Sequence, residues 1–170
     1  MQVSHDNTWD DFLDEFVSIF SVYDLNKNKI FICGSYSEDT FITLQEVQKI
    51  ANTVENNLAF YEKEFRRTHL ENLVLKFDLI AKFSNEIIMI IEHDKGGHMI
   101  EMGIILSFKE FYKKTKVFVL KDAEITEVLK KGGLLTPFFQ ENKSLFYFED
   151  INTLRSFIKE LYPSNKDRKN

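Results

Sequence analysis

The amino-acid sequence predicts an α/β fold: a five-stranded, mostly parallel sheet, doubly wound by helices on both faces in the flavodoxin- or Rossmann-like arrangement. Five short apolar runs alternate along the chain with segments whose apolar residues recur every three or four positions. Strands that alternate with helices in this way favour a parallel sheet with right-handed crossovers. The chain has 170 residues, which is enough for one compact domain and too few for two ordinary ones.

The first half of the chain is predicted to form three helices and two strands. Asn7 or Thr8 is expected to cap the first helix and Asp39 or Thr40 the second, and the third is predicted from apolar residues at helical spacing. The first strand is a short apolar run that ends at Gly34, which is typical of a buried parallel strand. In chain order, these elements are Trp9–Phe20, Ile30–Cys33, Phe41–Val54, Leu58–Tyr61 and His69–Phe83.

The second half is predicted to contain three more strands, each followed by a helix. The run EIIMII gives the strongest strand signal in the chain, and Asp150 is a suitable cap for the last helix. The helix before it is expected to break, because Gly132, Gly133 and Pro137 all disfavour a continuous helix. In chain order, these elements are Glu86–Ile91, His98–Tyr112, Lys116–Leu120, Ile125–Phe139, Leu145–Phe148 and Ile151–Leu161.

Composition and charge limit the class of protein. One domain is expected over residues 29–163, with a helix and loop before it at 1–28 and a disordered tail at 164–170. No apolar run approaches the roughly 20 residues that span a bilayer, no signal-peptide pattern is present, and the single cysteine, Cys33, cannot form an internal disulfide. The net charge of −5 does not suggest a nucleic-acid surface. We therefore expect a cytoplasmic protein whose partners include neither a membrane nor a nucleic-acid polymer.

The candidate site lies in the loops after the predicted strands, because open α/β sheets bind ligands at the carboxyl ends of their strands. The residues singled out there are Gly34, Ser35 and Tyr36 after the first strand and Asp94, Gly96 and Gly97 after the third. The glycine pair would let the backbone approach a ligand closely, and the helix start behind it favours an anion. Residues 62–67 follow the second strand. Since every α/β domain has polar loops at this edge, position alone does not decide the function.

Two carboxylates stand out near this edge. Glu101 lies about one turn into an otherwise apolar helix, either as a nucleophile or base aimed at a ligand or as a first-turn residue that favours the helix dipole. Asp78 lies late in the third predicted helix between apolar neighbours. The alternative interpretation is an aspartate on the solvent side, near the end of the helix. Two carboxylates at one pocket are what cleavage of a glycosidic bond requires. His93 and His98 lack a third fixed ligand, so we predict no metal site.

Three segments carry a family resemblance: KIFICGSYSED, DLIAKFSNEIIMIIEH and GGHMIEMGIILSF. In this order and spacing they resemble the nucleoside 2-deoxyribosyltransferase-like family, and in particular its deoxynucleoside 5′-monophosphate N-glycosidase branch. The resemblance implies that Glu101 is the nucleophile that attacks the anomeric carbon and that Asp78 assists proton transfer at the base. It also implies that Gly34 and Ser35 approach the sugar or its 5′-phosphate and that Asp94 holds a sugar hydroxyl. Family members often complete the pocket from a neighbouring subunit, which implies a homodimer or higher homo-oligomer.

The predicted function is cleavage or transfer at the base–sugar bond of a small-molecule nucleoside or nucleotide, without a cofactor. Phe31 departs from the resemblance, because the family commonly has a tyrosine there whose hydroxyl contacts the nucleophile. An apolar wall at this position is expected to leave Glu101 less oriented and to raise its pKa.

Two alternatives remain open. One is a non-catalytic nucleotide-binding module of the same fold, which Phe31 favours. The other is an NAD glycohydrolase-like domain, related to Toll/interleukin-receptor-like domains, which also use a glutamate in the pocket. Nicotinamide is already cationic in NAD and leaves without a proton, so Asp78 would be dispensable there.

Overall fold

A five-stranded sheet runs through the centre of the chain. The computed structural model describes residues 6–66, 73–93, 97–140 and 143–164. All five strands are parallel, and their order across the sheet is second, first, third, fourth, fifth. The chain order therefore reverses between the first and third strands, which is the flavodoxin-like arrangement. The strands are β1 (Asn28–Cys33), β2 (Asn57–Tyr61), β3 (Glu86–Ile91), β4 (Thr115–Leu120) and β5 (Leu145–Phe148).

Helices cover both faces of this sheet, and the doubly wound α/β prediction is confirmed. The helices are α1 (Asp6–Ile19), α2 (Glu38–Ala51), α3 (Leu73–Phe83), α4 (His98–Ser107), α5 (Lys109–Lys113), α6 (Glu124–Lys131), α7 (Thr136–Gln140) and α8 (Ile151–Leu161), with 3-10 turns at Val22–Asn26 and Glu62–Glu64. The buried residues of α2 and α8 pack on one face of the sheet, and those of the other helices pack on the opposite face. Within the described ranges, no helix combines the length and apolar composition needed to cross a membrane.

The expected break in the helix after β4 is confirmed. α6 ends at Lys131 and α7 begins at Thr136. Between them Gly133 has a φ of 69°, in the left-handed region that favours glycine. The cap expected for the last helix is also present, because the Asp150 carboxylate accepts a hydrogen bond from the Thr153 backbone N–H at 2.7 Å.

The single helix predicted over His98–Tyr112 is wrong, because the chain forms two helices there. Phe108 has an extended backbone, with φ −123° and ψ 117°, and separates α4 from α5. The turn at Phe108 lets Phe111 enter the core, where it is fully buried, and the two rings meet at 5.3 Å. The sequence contains no glycine or proline at this point, so its pattern of apolar residues runs through the break.

Two caps were also misplaced, and some predictions fall outside the described residues. α1 and α2 begin earlier than expected, at Asp6 and Glu38, so the residues predicted to cap them lie inside the helices. Ser37 occupies the cap position of α2. The predicted start of the third helix at 69–72 and the tail at 165–170 lie outside the described residues.

Phenylalanine rings fill the core on the α1 side of the sheet. Phe12 and Phe16 of α1 are fully buried. The Phe12 ring stacks on Phe65 with centroids 5.2 Å apart, and Phe16 meets Phe83 edge-on at 4.7 Å. Aromatic contacts of this kind add to the free energy gained by burial alone. The first helix therefore shares the core of the sheet domain.

Candidate functional site

A cleft of about 310 Å³ opens at the carboxyl ends of β1 and β2, beside the start of α4. The strand order reverses beside β1, and open α/β sheets bind ligands at the carboxyl ends of the strands near such a reversal. Its volume falls in the range of small-molecule sites. The cleft is lined by Gly34, Ser35, Tyr36, Ser37, Glu62, Leu73, Gly97 and Glu101. Four of these residues, Gly34, Ser35, Tyr36 and Gly97, were predicted from the sequence as substrate-binding, and Glu101 was predicted as catalytic.

Gly34 brings the end of β1 against its neighbours. A Cβ atom at this position would lie 2.7 Å from Leu44 Cδ2 and 3.1 Å from the carbonyl oxygen of Ile90. Any larger residue at position 34 would therefore require the Leu44 side chain to shift and the carbonyl of Ile90 to give way slightly. The turn after it carries a chain of hydroxyls, in which Ser35 donates to Ser37 at 3.1 Å and Ser37 bonds Thr40 at 2.7 Å.

Tyr36 joins two walls of the cleft. Its hydroxyl oxygen accepts a hydrogen bond from the backbone N–H of Glu62 at 3.1 Å. Burial raises the pKa of Tyr36 well above its ordinary value, and the neighbouring acidic groups of Cys33, Glu101 and Glu62 act in the same direction. The phenol therefore stays protonated and can donate its own hydrogen to a ligand.

Glu101 is the buried carboxylate of the cleft. It lies in the first turn of α4, and only 5% of its surface is exposed. Its backbone N–H donates to the carbonyl of Gly97 at 3.0 Å, but its Oε2 atom has no hydrogen-bond partner among the described residues. Burial of a carboxylate oxygen without a partner costs free energy. A buried, unpartnered carboxylate in a cleft is typical of a ligand-binding or catalytic site.

The pKa of Glu101 is raised to about 7, mainly by burial and further by the negative charge of Glu62. The sequence predicted a raised pKa from the apolar residue at position 31. Phe31 is fully buried in β1, and its ring lies 5.3 Å from Phe77 and 6.2 Å from Phe60. The contribution of Glu62 was not foreseen.

Asp78 does not line this cleft. It lies on α3 in a separate groove of about 620 Å³ between α3 and α4, together with Ile100 and Gly103. Its carboxylate is paired with Lys82, one turn along the same helix, at 2.6 Å. The two sites share no lining residue, so the structure does not bring the two carboxylates predicted as catalytic into one cleft.

Glu62 is the carboxylate that does share the cleft with Glu101. It opens the 3-10 turn directly after β2, and its Oε1 atom is 2.5 Å from Nζ of Lys76 on α3. The sequence placed residues 62–67 at the ligand-binding edge, but it did not single out Glu62. A long-range ion pair leaves no local motif, and only the strand-end rule could have found this residue.

The remaining predicted residues are partly outside the described chain. Asp94 and Gly96 lie outside the described residues, as does the side chain of His98. Gly97 occupies the cap position of α4, where its carbonyl accepts from the N–H groups of Ile100 and Glu101. In the part of the chain that the structure covers, no group of three or more His, Cys, Asp or Glu side chains could hold a metal ion.

No protein-family model fits the chain, and no curated protein matches it. The family resemblance of the three sequence segments therefore stays a prediction.

Proposed function

We propose that this chain is an N-glycosidase-type enzyme that cleaves the base–sugar bond of a nucleoside or nucleotide, with Glu101 as its nucleophile. The observation that carries the proposal is a carboxylate 5% exposed, with one unpartnered oxygen, in the wall of a cleft of small-molecule size. The resemblance of the three segments supplies the reaction class. The substrate is a small molecule, and the location we expect is the cytoplasm.

In the proposed reaction Glu101 forms a bond to C1′ of the sugar while the C1′–N bond breaks and its electron pair stays on the base. Water then hydrolyses the glycosyl ester, which releases the sugar and restores the carboxylate. Transfer of the sugar to a second base is the related outcome. Because the attacking group is the ionised carboxylate and its pKa is about 7, we expect kcat/KM to rise with pH through about pH 7.

The leaving group is the point at which two candidate functions differ. An ordinary nucleobase leaves with a proton, which the resemblance assigns to Asp78. Since Asp78 lies in another groove, a second candidate function gains support: cleavage of NAD, whose nicotinamide leaves without a proton.

The test is incubation of the protein with ribo- and deoxyribonucleosides, their monophosphates and NAD, followed by chromatography for free base. We expect free base from one substrate class, and a loss of at least about 10³-fold in Glu101→Gln. Asp78→Asn then tests the proton-transfer role that the resemblance gives to Asp78. Nucleoside cleavage should fall if Asp78 serves the leaving base and should stay unchanged if its place in the other groove keeps it from the reaction, whereas NAD cleavage should be spared in either case. If no substrate is cleaved and Glu101→Gln behaves like the wild type, a nucleotide-binding module of the same fold replaces the enzyme.

We also propose that the chain forms a homodimer through the α3–α4 groove, the groove that contains Asp78. α4 is apolar on both sides: Met102 and Ile105 are buried in the core, whereas Ile100 is 54% exposed in the groove. Asp78 and Lys82 provide both signs of charge at the groove. A two-fold related copy can therefore place its lysine against the aspartate, as a self-complementary interface requires.

A further inference from the structure

Glu62 and Glu101 approach the same cleft from different elements. Glu62 is fixed at the end of β2, and Glu101 is fixed in the first turn of α4. They are close enough that the charge on Glu62 raises the pKa of Glu101. The ionisation of Glu101 therefore depends on the charge of Glu62 and on what holds that charge in place.

Lys76 on α3 gives Glu62 a counter-charge. The two side chains are only 14% and 16% exposed, and their charged atoms lie 2.5 Å apart. Solvent screens such a pair less than it screens a surface pair. The Asp78–Lys82 pair on the same helix offers a contrast, because its lysine side chain is 50% exposed.

Hydrogen bonds hold the backbone of Glu62, in addition to the ion pair that holds its side chain. Its N–H donates to the Tyr36 hydroxyl, and its carbonyl accepts from the N–H of Phe65 at 3.1 Å. The other groups within reach of the Glu101 charge are the Cys33 thiol and the Tyr36 phenol, both of which have raised pKa values. Neither is ionised near neutral pH. Among the described residues, the charge that raises the pKa of Glu101 is that of Glu62, whose ion-pair partner is Lys76.

We propose that Glu62, held by Lys76, is the partner carboxylate of Glu101 in this cleft, and that the Glu62–Lys76 pair sets the electrostatic environment of Glu101. Glu62 is a positioning residue in this proposal, since it acts on the reaction through Glu101. The catalytic consequence rests on the proposed function, whereas the charge coupling does not require a substrate.

The coupling can be measured without a substrate. Protein labelled with ¹³C at the glutamate carboxyl carbons is titrated by NMR, and the Glu101 signal is identified by its loss in Glu101→Gln. Glu62→Gln removes a negative charge, so the Glu101 midpoint should move to lower pH by about one unit. Lys76→Met leaves the Glu62 charge uncompensated, so the midpoint should move to higher pH.

Asp78→Asn is the matched control, because Asp78 is a carboxylate on the same helix as Lys76 but lies in the other groove. It should leave the Glu101 midpoint unchanged. A midpoint that stays fixed in both Glu62→Gln and Lys76→Met overturns the proposal. So does a shift in the same direction in both variants, because that would reflect a general disturbance of the cleft. The NMR spectrum of each variant also reports whether it is folded.

The kinetic arm separates this inference from the proposed function. If the chain cleaves one of the substrates above, its pH–rate profile should move to lower pH in Glu62→Gln and to higher pH in Lys76→Met. If the NMR midpoints move as expected but the wild type cleaves nothing, the charge coupling holds and the proposed function fails. If cleavage occurs but its pH profile is the same in all variants, the function holds and the inference fails.

Discussion

The burial of Glu101 makes the stability of the folded protein depend on pH. Its ordinary pKa is 4.5, and its pKa in the folded chain is about 7. Between these values the folded protein retains a proton that the unfolded chain has already lost. Stability therefore falls as the pH rises through this window, and it is unaffected by this group below the window.

The variant Glu101→Gln tests this directly, because glutamine keeps the shape of the side chain and carries no charge. We expect the free energy of unfolding of the wild type, relative to Glu101→Gln, to fall by about 3 kcal/mol between pH 4.5 and pH 8. Urea denaturation at pH 4.5, 6 and 8 measures the difference. Curves for the two proteins that stay parallel over this range would contradict the raised pKa.

At the level of elements, two glycines differ in the space around them: Gly34 in the turn after β1 and Gly103 in α4. Gly34 lies where an added Cβ would meet Leu44 and the backbone of Ile90, whereas a Cβ at Gly103 would meet nothing within 4 Å. One glycine is therefore required by a close approach of two strands. The other lies in a helix, where glycine is unfavourable.

Alanine substitutions at these two positions should change stability in opposite directions. Gly34→Ala should destabilise the protein by about 1–3 kcal/mol, because the Ile90 carbonyl cannot move without β3. Gly103→Ala should stabilise it by up to about 1 kcal/mol through helix propensity. Chemical denaturation of both variants provides the comparison, and equal effects would be inconsistent with the geometry of the turn.

Much of the element pattern could be predicted from the sequence, because buried parallel strands are short apolar runs with clear ends. EIIMII became β3 at its predicted bounds. The break at Phe108 could not be predicted, since it depends on where Phe111 meets the core. In the site, Gly34 was found from the strand-end rule, and Glu101 was found as a carboxylate about one turn into an otherwise apolar helix. Glu62 was not singled out, because its pair with Lys76 forms only after β2 and α3 are packed together.

At the scale of the whole molecule, α4 carries two different surfaces. Glu101 on one side belongs to the cleft, and Ile100 on the other belongs to the α3–α4 groove. A helix with apolar residues on all sides is normally covered on all sides. The exposed face of α4 is therefore the part of the molecule where we expect a second copy.

A charge in the groove should prevent this association. We expect the wild type to sediment as a dimer and Ile100→Glu to sediment as a monomer with unchanged circular dichroism. The matched control is Val128→Glu on α6, which is similarly exposed, at 56%, but lies away from the groove. A wild type that sediments as a monomer, or dimers that persist in Ile100→Glu, would show that the groove is not the interface.

The parallel sheet also determines the order in which a growing chain can fold. β1 pairs with β2 on one side and with β3 on the other, and β3 in turn needs β4. No two neighbouring strands form a hairpin, so every pairing closes a long loop and folding is expected to be slow. During synthesis, a chain that has not yet reached residue 86 leaves the whole edge of β1 that will pair with β3 open. Such an edge can pair with another nascent chain. We therefore expect aggregation to be most favourable while only the first half of the chain has been synthesised.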